Sequence, residues 1–264
     1  MAILCALAGP ALLVSCNAGP ARAIDAGPSF KGRAGCFLLL DLGSGESLTW
    51  GTLCDERSSP CSTFKIPNAL IGLDSGVLED ERHVFRYDGQ PRRRTEWNKD
   101  MQLGEALRTS CVPCFQELAR AIGPERMRSY LDRFDYGNRD TSGGIDQFWL
   151  GNSLAISPRE QLDFLARLYR DQLPVKPAAA ATVRRLLVQE EAPGWSWSGK
   201  TGSCQFEGRP PHGWFVGHVH RGDRQAVFAT FMRGEGAWGI EARAATAELL
   251  RQHGWWGLAQ APSP

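Results

Sequence analysis

The sequence predicts an α/β fold, in which strands from both ends of the chain form one antiparallel sheet flanked by helices, with a helical domain inserted between them. Two observations carry this prediction. Short apolar runs separated by turn residues occupy residues 36–54 and recur beyond Trp195, as expected of β-strands. Between them, residues 62–191 show apolar side chains at helical spacing, with proline or serine where segments begin and glycine where several of them end.

Composition limits the classes of protein to consider. The chain has 264 residues, of which 42% are hydrophobic, enough for one large domain or two interleaved subdomains. Its formal net charge of +1 creates no general attraction to nucleic acid or anionic lipid, so we expect no nucleic-acid partner. The one local basic cluster, Arg92-Arg93-Arg94, is predicted to be a solvated loop.

Residues 1–23 are predicted to be a signal peptide, because the segment is apolar to Val14 and then rich in small residues. Ala21-Arg22-Ala23 is a small-x-small cleavage site. An alternative exit is Leu13-Val14-Ser15-Cys16, which resembles a bacterial lipobox and would leave a lipid anchor at Cys16. We favour cleavage and a periplasmic protein, whose oxidising compartment permits disulfides.

The first strands form a predicted hairpin, because GCFLLLDLGSGESLTWGTLC has two apolar runs joined by a Gly/Ser turn. Cys36 and Cys54 lie near the outer ends of this hairpin, at roughly equal distances from the turn at residues 43–45. They should therefore face each other, and we predict a Cys36–Cys54 disulfide. The alternative is a pair of buried free thiols.

The helical segments are recognised by their first residues. The clearest is SPREQLDFLARLYRDQLP, where Ser157 is the N-cap, Pro158 lies in the first turn and Glu160 completes a capping box. The other predicted helices are PNALIGLDSG, VPCFQELARAIG, PERMRSYLDRF and KPAAAATVRRLLVQE.

Beyond residue 195 the pattern returns to strands, in WSWSGKTGSC, GWFVGHVHR and QAVFATFMR, and the chain closes with the helix GIEARAATAELLRQHG. The predicted domains are a discontinuous α/β sheet domain, residues 24–61 plus 192–264, and a helical domain, residues 62–191. We expect the active site in the cleft between them.

Ser62-Thr63-Phe64-Lys65 supplies a candidate nucleophile and base, because residues three apart share one face of a turn. A serine hydroxyl needs a base, and Lys65 can serve only if its amine is not an ammonium. Average residue usage makes the pattern common by chance, but three rarer motifs follow it in order. These are Ser110-Cys111-Val112, Tyr136-Gly137-Asn138 and Lys200-Thr201-Gly202.

Together these motifs resemble those of the class D β-lactamases, the oxacillinases. The likeness runs from about Phe37 to His253 and is carried by STFKIPNALIGLDSGV, the Ser-x-Val of SCVPCFQELAR, YGN, SGGIDQFWLGNSLAIS and KTG. It implies the serine β-lactamase and penicillin-binding transpeptidase-like fold, and hydrolysis of β-lactam antibiotics as an antibiotic-resistance function. Penicillins are the implied substrates. Acceptance of oxacillin, cephalosporins or carbapenems depends on loop shapes that the sequence does not give.

The resemblance also implies catalytic roles. Ser62 would be the acylated nucleophile, and Lys65 would capture CO₂ as a carbamate (N6-carboxylysine) and act as general base. Burial among apolar neighbours lowers the pKa of a lysine, and a neutral amine can attack CO₂. Trp149 would donate a hydrogen bond to the carbamate, and Ser110 would pass a proton to the lactam nitrogen.

Substrate-binding roles follow from the same resemblance. Lys200, Thr201 and Arg243 would hold the substrate carboxylate, and the N–H groups of Ser62 and Ser203 would form the oxyanion hole. The other implied lining residues are Val112, Tyr136, Asn138, Leu150 and Gly202. Structural alternatives stay open: Trp149 and Leu150 as core residues, Arg243 as a solvated helix residue, and the Tyr-Gly-Asn motif as a turn.

Two pairs of cysteines depart from the family pattern. Cys61 stands where the family usually has alanine, and Cys204 follows the Lys-Thr-Gly motif; a disulfide known in class A carbapenem-hydrolysing enzymes suggests a Cys61–Cys204 bridge. Two unpaired thiols are the alternative. The C-x-x-C of Cys111 and Cys114 is typical of thiol–disulfide exchange, but its usual βαβ context is missing, so we reject that function and leave the pairing open.

No metal site is predicted, because the five histidines show no metal-ligand spacing with cysteine or aspartate. Two other functions share the implied fold. One is a penicillin-sensing receptor domain, which is acylated without turnover. The other is a D,D-peptidase, whose second motif usually ends in asparagine where this chain has Val112.

Overall fold

A mixed sheet forms the centre of the molecule. The computed structural model describes residue 19 and residues 21–257. Its strands are β1 (Ala21–Ala23), β2 (Ala34–Asp41), β3 (Ser47–Gly51), β4 (Val84–Phe85), β5 (Met101–Gln102), β6 (Val188–Ala192), β7 (Trp195–Cys204), β8 (His212–Arg221) and β9 (Arg224–Arg233). Seven of them form one sheet in the order β1-β3-β2-β9-β8-β7-β6, while β4 and β5 pair with each other. The predicted antiparallel pairing holds throughout this sheet except between β1 and β3, which run parallel.

Helices cover both faces of this sheet. They are α1 (Gly27–Phe30), α2 (Lys65–Asp74), α3 (Leu103–Arg108), α4 (Val112–Ile122), α5 (Pro124–Phe134), α6 (Pro158–Tyr169), α7 (Pro177–Leu186) and α8 (Gly239–Gln252). Helices α1 and α8 pack together on one face, and α6 packs on β2, β8 and β9 from the other. The α/β, transpeptidase-like fold predicted from the sequence is confirmed.

The central strands carry apolar side chains on both faces because each face of the sheet has its own core. In β2, Leu38 joins the core on the side of the helical domain, whereas Phe37 and Leu39 join the core beneath α8. The same division separates Phe231 from Phe228 in β9. Helices therefore pack on both faces of the sheet, and a cleft can form only where the helical layer meets the border of the sheet.

The predicted start of α6 is confirmed in detail. The Ser157 hydroxyl accepts a hydrogen bond from the Glu160 N–H at 3.2 Å, and the Glu160 carboxylate accepts one from the Ser157 N–H at 2.8 Å. This reciprocal capping satisfies two N–H groups that have no partner inside the helix.

Helix α2 begins earlier than predicted. A 3₁₀ turn, Cys61–Phe64, leads directly into the helix at Lys65, although the sequence suggested a start near Pro67. Proline is tolerated there because the first four N–H groups of a helix have no intrahelical acceptor to lose. Lys65 therefore stands in the first turn of a regular helix.

The predicted helix KPAAAATVRRLLVQE is too long by five residues. Helix α7 ends at Leu186, and residues 188–192 form the edge strand β6, which pairs with β7 across a turn where Gly194 has φ +72°. Pairing with a neighbouring strand outweighs helix propensity for these residues. The C-terminal part of the sheet thus begins at residue 188, four residues before the predicted start of this part at residue 192.

The predicted leader lies mostly outside the described residues. Residues 1–18, which contain the predicted lipobox ending at Cys16, are not among the described residues. The predicted cleavage site at residues 21–23 coincides with β1, which pairs with Ser47–Thr49 of β3. Among the helices that the structure describes, none is long and apolar enough to cross a membrane.

The capping box of α6 gives a stability prediction. Ser157→Ala removes the side-chain acceptor and should lower the free energy of unfolding by about 1 kcal/mol. Urea denaturation followed by circular dichroism measures this change. Ser157→Thr keeps a hydroxyl at the cap and is the control; an alanine variant as stable as the wild type would show that the cap contributes nothing.

Candidate active site

Ser62 and Lys65 meet at the entrance of α2, as their spacing predicts. The Lys65 Nζ lies 3.1 Å from the Ser62 Oγ, within hydrogen-bonding distance. The turn that carries Ser62 is held from below by Thr63, whose hydroxyl donates to the Pro60 carbonyl at 2.9 Å and accepts from the Gln161 amide at 2.7 Å. The serine is thus positioned by groups that do not themselves reach a substrate.

Lys65 is completely buried in an apolar environment. Its exposed fraction is 0%, and its ammonium position lies 5.4 Å from the centre of the Phe115 ring. Burial, together with the positive charges of Lys200 and Arg94, holds the pKa of Lys65 well below its usual value. The structure therefore favours the neutral amine that Lys65 needs in order to act as a base.

Trp149 and Ser110 each bring a buried polar atom without a partner. Among the described residues, neither the Trp149 Nε1 nor the Ser110 Oγ has a hydrogen-bond partner. Trp149 stacks on Phe64, the residue before Lys65, with ring centres 5.3 Å apart. Ser110 has φ +56° and directly precedes Cys111, the N-cap of α4. Unsatisfied buried donors and acceptors are rare, and they mark places where an absent group belongs.

Strand β7 supplies the other wall of the cleft. Lys200 is buried, with its Nζ 3.1 Å from the Thr201 carbonyl, and burial and the charge of Arg94 lower its pKa to about 7. Gly202 allows the nucleophile turn to approach, because a Cβ there would lie 2.9 Å from the Pro60 carbonyl oxygen. Ser203 is exposed at the strand end, where its Oγ accepts from the Gly239 N–H at 2.9 Å.

Arg243, on α8, contacts residues of β6 and β7. Its guanidinium is 5.0 Å from the centre of the Trp197 ring and 3.4 Å from a carboxylate oxygen of Glu190. Among the described residues, no hydrogen bond joins it to Lys200 or Thr201. The role of Arg243 in binding a carboxylate stays a prediction.

Comparison with known proteins decides the family. The penicillin-binding protein transpeptidase domain family matches residues 11–251. A probable β-lactamase of Bacillus subtilis (strain 168), YbxI, is 40% identical over 226 residues, which cover 85% of this chain and 83% of that protein. The solved class D β-lactamase from Bacillus subtilis has 39% identity and a TM-score of 0.84, over 89% of this chain and 97% of that one. This chain belongs to the class D β-lactamases.

The resemblance seen in the motifs is therefore confirmed, and the chain is a serine hydrolase acting on cyclic amide bonds. A similar structure with another role is the C-terminal domain of the Bacillus licheniformis BlaR penicillin-receptor. It has 31% identity and a TM-score of 0.85, over 90% of this chain and 98% of that one.

In this β-lactamase, the Tyr-Gly-Asn motif supports the site from behind. Tyr136 is buried and its hydroxyl lies 3.3 Å from the Gln161 Oε1, which connects it to the turn at Thr63. The Asn138 amide donates to the Ser153 carbonyl at 2.8 Å and accepts from the Ala155 N–H at 3.0 Å. Both residues thus brace neighbouring segments by contacts within the protein.

The remaining predicted lining residues, Val112 and Leu150, are half-buried. Val112 is the first residue of α4, two positions after Ser110, and Leu150 follows Trp149 in the π-helical turn Phe148–Asn152. Each therefore adjoins one of the two unpartnered polar groups.

The cysteine pairs lie at distances that suit disulfides, which span about 4.4–6.8 Å between Cα atoms. The Cα–Cα distance is 5.0 Å for Cys36 and Cys54, and 6.1 Å for Cys61 and Cys204. It is 5.4 Å for Cys111 and Cys114, whose pairing the sequence left open. The bonds themselves stay predictions.

Arg94 is the residue that sequence reasoning missed. It is exposed, as predicted for its loop, yet its charge acts on both buried amines of the site. Its guanidinium lies 4.7 Å from the centre of the Trp97 ring, and the Trp97 indole donates to the Thr109 carbonyl at 3.1 Å, beside Ser110. The charge is thus held at the rim of the cleft. The spacing of Arg94 and Trp97, three residues apart, could have indicated a guanidinium held against an aromatic ring.

Removing this charge should raise the pKa of both lysines. In Arg94→Ala, we expect the pKa of Lys200 to move upward from about 7, because one neighbouring positive charge no longer disfavours its ammonium form. NMR titration of ¹³C-labelled lysine side chains measures this shift. The matched control is Arg93→Ala, whose neighbouring guanidinium is also exposed but does not act on Lys200. Equal titration curves in the two variants would show that Arg94 does not tune the site.

Proposed function

We propose that this enzyme hydrolyses β-lactams through an acyl-enzyme on Ser62, with N-carboxylated Lys65 as the general base. The observation that carries the proposal is the completely buried Lys65 amine, 3.1 Å from the Ser62 hydroxyl and with a strongly lowered pKa. Such an amine is neutral over a much wider pH range than an ordinary lysine and can form a carbamate with CO₂.

The residues around Lys65 fit a carbamate. Carboxylation forms an N–C bond and releases a proton, which converts the amine into an anion with two acceptor oxygens. The Trp149 Nε1 is a buried donor without a partner in the described part of the chain, and it stands beside Phe64 in the same cluster. A buried donor left unpaired costs about 1–3 kcal/mol, so an acceptor at this position would be stabilised.

The two chemical steps use the same pair of residues. Ser62 gives its proton to carboxylated Lys65 and attacks the lactam carbonyl carbon, and the carbon–nitrogen bond breaks. Ser110 passes a proton to the departing nitrogen, a role that suits a buried hydroxyl without a competing partner. Carboxylated Lys65 passes the first proton to Ser110, which restores the base. A water molecule then attacks the acyl group and gives its proton to carboxylated Lys65, which returns it to the departing Ser62 oxygen.

Binding of the substrate is proposed to rest on β7. Lys200 and Thr201 would hold the carboxylate, and the N–H groups of Ser62 and Ser203 would stabilise the oxyanion, a donor type whose removal costs about 3 kcal/mol. Arg243 would assist them; its ion pair with Glu190 at 3.4 Å is weak, and its Nε has no hydrogen-bond partner among the described residues. Periplasmic export remains a proposal that rests on the sequence of the leader alone.

The BlaR similarity supports a second candidate, a penicillin sensor that is acylated once and does not turn over. A D,D-peptidase remains the third, and Val112 argues against it because the corresponding motif usually ends in asparagine. All three place an acylated serine at Ser62. They differ in whether the acyl group is hydrolysed.

Turnover of a chromogenic cephalosporin separates these functions. We expect multiple turnovers per chain by the purified protein, and complete loss in Ser62→Ala because no nucleophile remains to be acylated. Ser44→Ala, in the β2–β3 turn, is the control for a lost serine hydroxyl. A single stoichiometric burst that Ser62→Ala abolishes would support the sensor and reject the hydrolase.

The carbamate predicts a pH dependence that bicarbonate reverses. Since the pKa of Lys65 is lowered, its amine is neutral above that pKa and becomes protonated as the pH falls through it. Activity should therefore fall at mildly acidic pH and recover when bicarbonate is added.

Trp149→Phe should lower activity by about 10- to 100-fold, as expected for a lost buried hydrogen bond, and should increase the bicarbonate needed for half-maximal rate. Trp256→Phe, at a half-buried residue that packs against the core beneath α8, is the control and should behave as the wild type. An unmodified Lys65 in crystals grown at alkaline pH with bicarbonate would reject the carbamate.

A further inference from the structure

A compact group of soft ligands lies next to the nucleophile turn. The sulfurs of Cys61 and Cys204 and a ring nitrogen of His212 all lie within 4.8 Å of one another. All three residues are buried, with exposed fractions of 4%, 2% and 7%. Among the residues that the structure describes, this is the only cluster of histidine, cysteine or acidic residues compact enough to hold a metal ion.

The sheet itself brings this group together. Cys204 and His212 are direct partners on the antiparallel strands β7 and β8, so their side chains stand side by side on one face. Cys61 opens the 3₁₀ turn that packs on β7, where Gly202 permits the close approach. Since Cys61 and Cys204 are 143 residues apart, spacing along the sequence could not reveal the group.

The chemistry of the group suits a cation of the zinc type. Two cysteines and one histidine form a known tetrahedral donor set that leaves one position open, and two thiolates balance the charge of a divalent ion. The Ser59 carbonyl lies 3.0 Å from the His212 Nε2 and holds the orientation of the ring, as outer groups do around metal-ligating histidines. Arg233 is a positive charge near His212, and its ion pair with Glu56 at 2.6 Å reduces its repulsion of a bound cation.

We propose that in the dithiol state Cys61, Cys204 and His212 form a binding site for one zinc-type cation. A newly synthesised chain carries both cysteines as thiols, so the site exists before any disulfide forms. Binding releases two thiol protons to solvent, and the sulfurs and one imidazole nitrogen donate electron pairs to the metal. A cavity of about 340 Å³ lined by Ser59 and His212 adjoins the group on the side of the histidine.

The site and the disulfide exclude each other, because both use the same two sulfurs. Formation of the bond removes two electrons and two protons from the thiols, and the oxidised pair has no thiolate to offer. Bound metal should therefore protect the pair from oxidation. The proposed cation would also tie the nucleophile turn to β7, as the disulfide would.

Zinc binding by the full chain tests this proposal. The protein is reduced with a phosphine, which takes oxygen from water and leaves two thiols, and then desalted without oxygen and mixed with Zn²⁺ alone. We expect one additional zinc per chain in the wild type relative to Cys61→Ser/Cys204→Ser, measured by mass spectrometry of the metal after gel filtration. His212→Gln should weaken the affinity by roughly tenfold or more.

The matched control is Cys36→Ser/Cys54→Ser, which removes a cysteine pair without a histidine in the cluster and should keep the zinc of this site. Unreduced protein, whose pairing a non-reduced digest identifies, should bind none here. Equal zinc content in the wild type and in Cys61→Ser/Cys204→Ser would overturn the proposal.

Co²⁺ supplies a readout that needs no variant to fold. In the reduced wild type it should give a thiolate-to-cobalt absorption band, with two protons released per ion. Zn²⁺ should also slow the formation of the Cys61–Cys204 bond by a disulfide oxidant, followed by the same digest. Absence of the band in reduced protein with native circular dichroism would contradict the site.

Discussion

Two lysine amines buried in one cleft are the constraint on which the rest of the site depends. Lys65 and Lys200 are 0% and 5% exposed, and each lowers its charge by burial rather than by pairing. Among the described groups that act on either amine, the charged ones are cations, of which Arg94 is itself paired with Glu96 at 2.7 Å. Burying an unpaired ammonium is expensive, so the neutral form is favoured. The fold thereby favours a reactive neutral amine, and the same site would stabilise a negatively charged group.

That chemistry is useful only because the surrounding structure is rigid. The Ser62 turn rests on a chain of buried hydrogen bonds from Thr63 to Gln161 and on to Tyr136. On its other side the turn meets β7 where Gly202 leaves room for the Pro60 carbonyl. Fully satisfied buried networks fix a single geometry, whereas Trp149 and Ser110 each bring a buried polar atom without a partner among the described residues. Support and reactivity are thus divided between different residues.

The sequence was informative where function depends on local spacing. A separation of three residues was enough to place Ser62 beside Lys65, and the capping box of Ser157 was read correctly because caps are local. It was less informative where pairing at a distance decides. The sequence of β6 predicts a helix, and only its pairing with β7 makes it a strand. The sequence around Arg94 predicts a solvated loop, and its effect on Lys65 becomes visible only in the folded structure. The proximity of His212 to Cys61 is likewise a result of the tertiary fold and is not visible in the sequence.

The order of strands in the sheet has a consequence for how the chain folds. Strand β2, formed by residues 34–41, pairs with β9, formed by residues 224–233, so the centre of the sheet joins residues that are 185 to 199 positions apart along the chain. Closing so large a loop costs entropy before its contacts can form, and proteins rich in such contacts fold slowly. Until the last strand arrives, β2 has an open edge of unpaired backbone groups, which is a template for aggregation. The helical segment can form earlier, but the nucleophile turn acquires its second wall only when the end of the chain has joined its beginning.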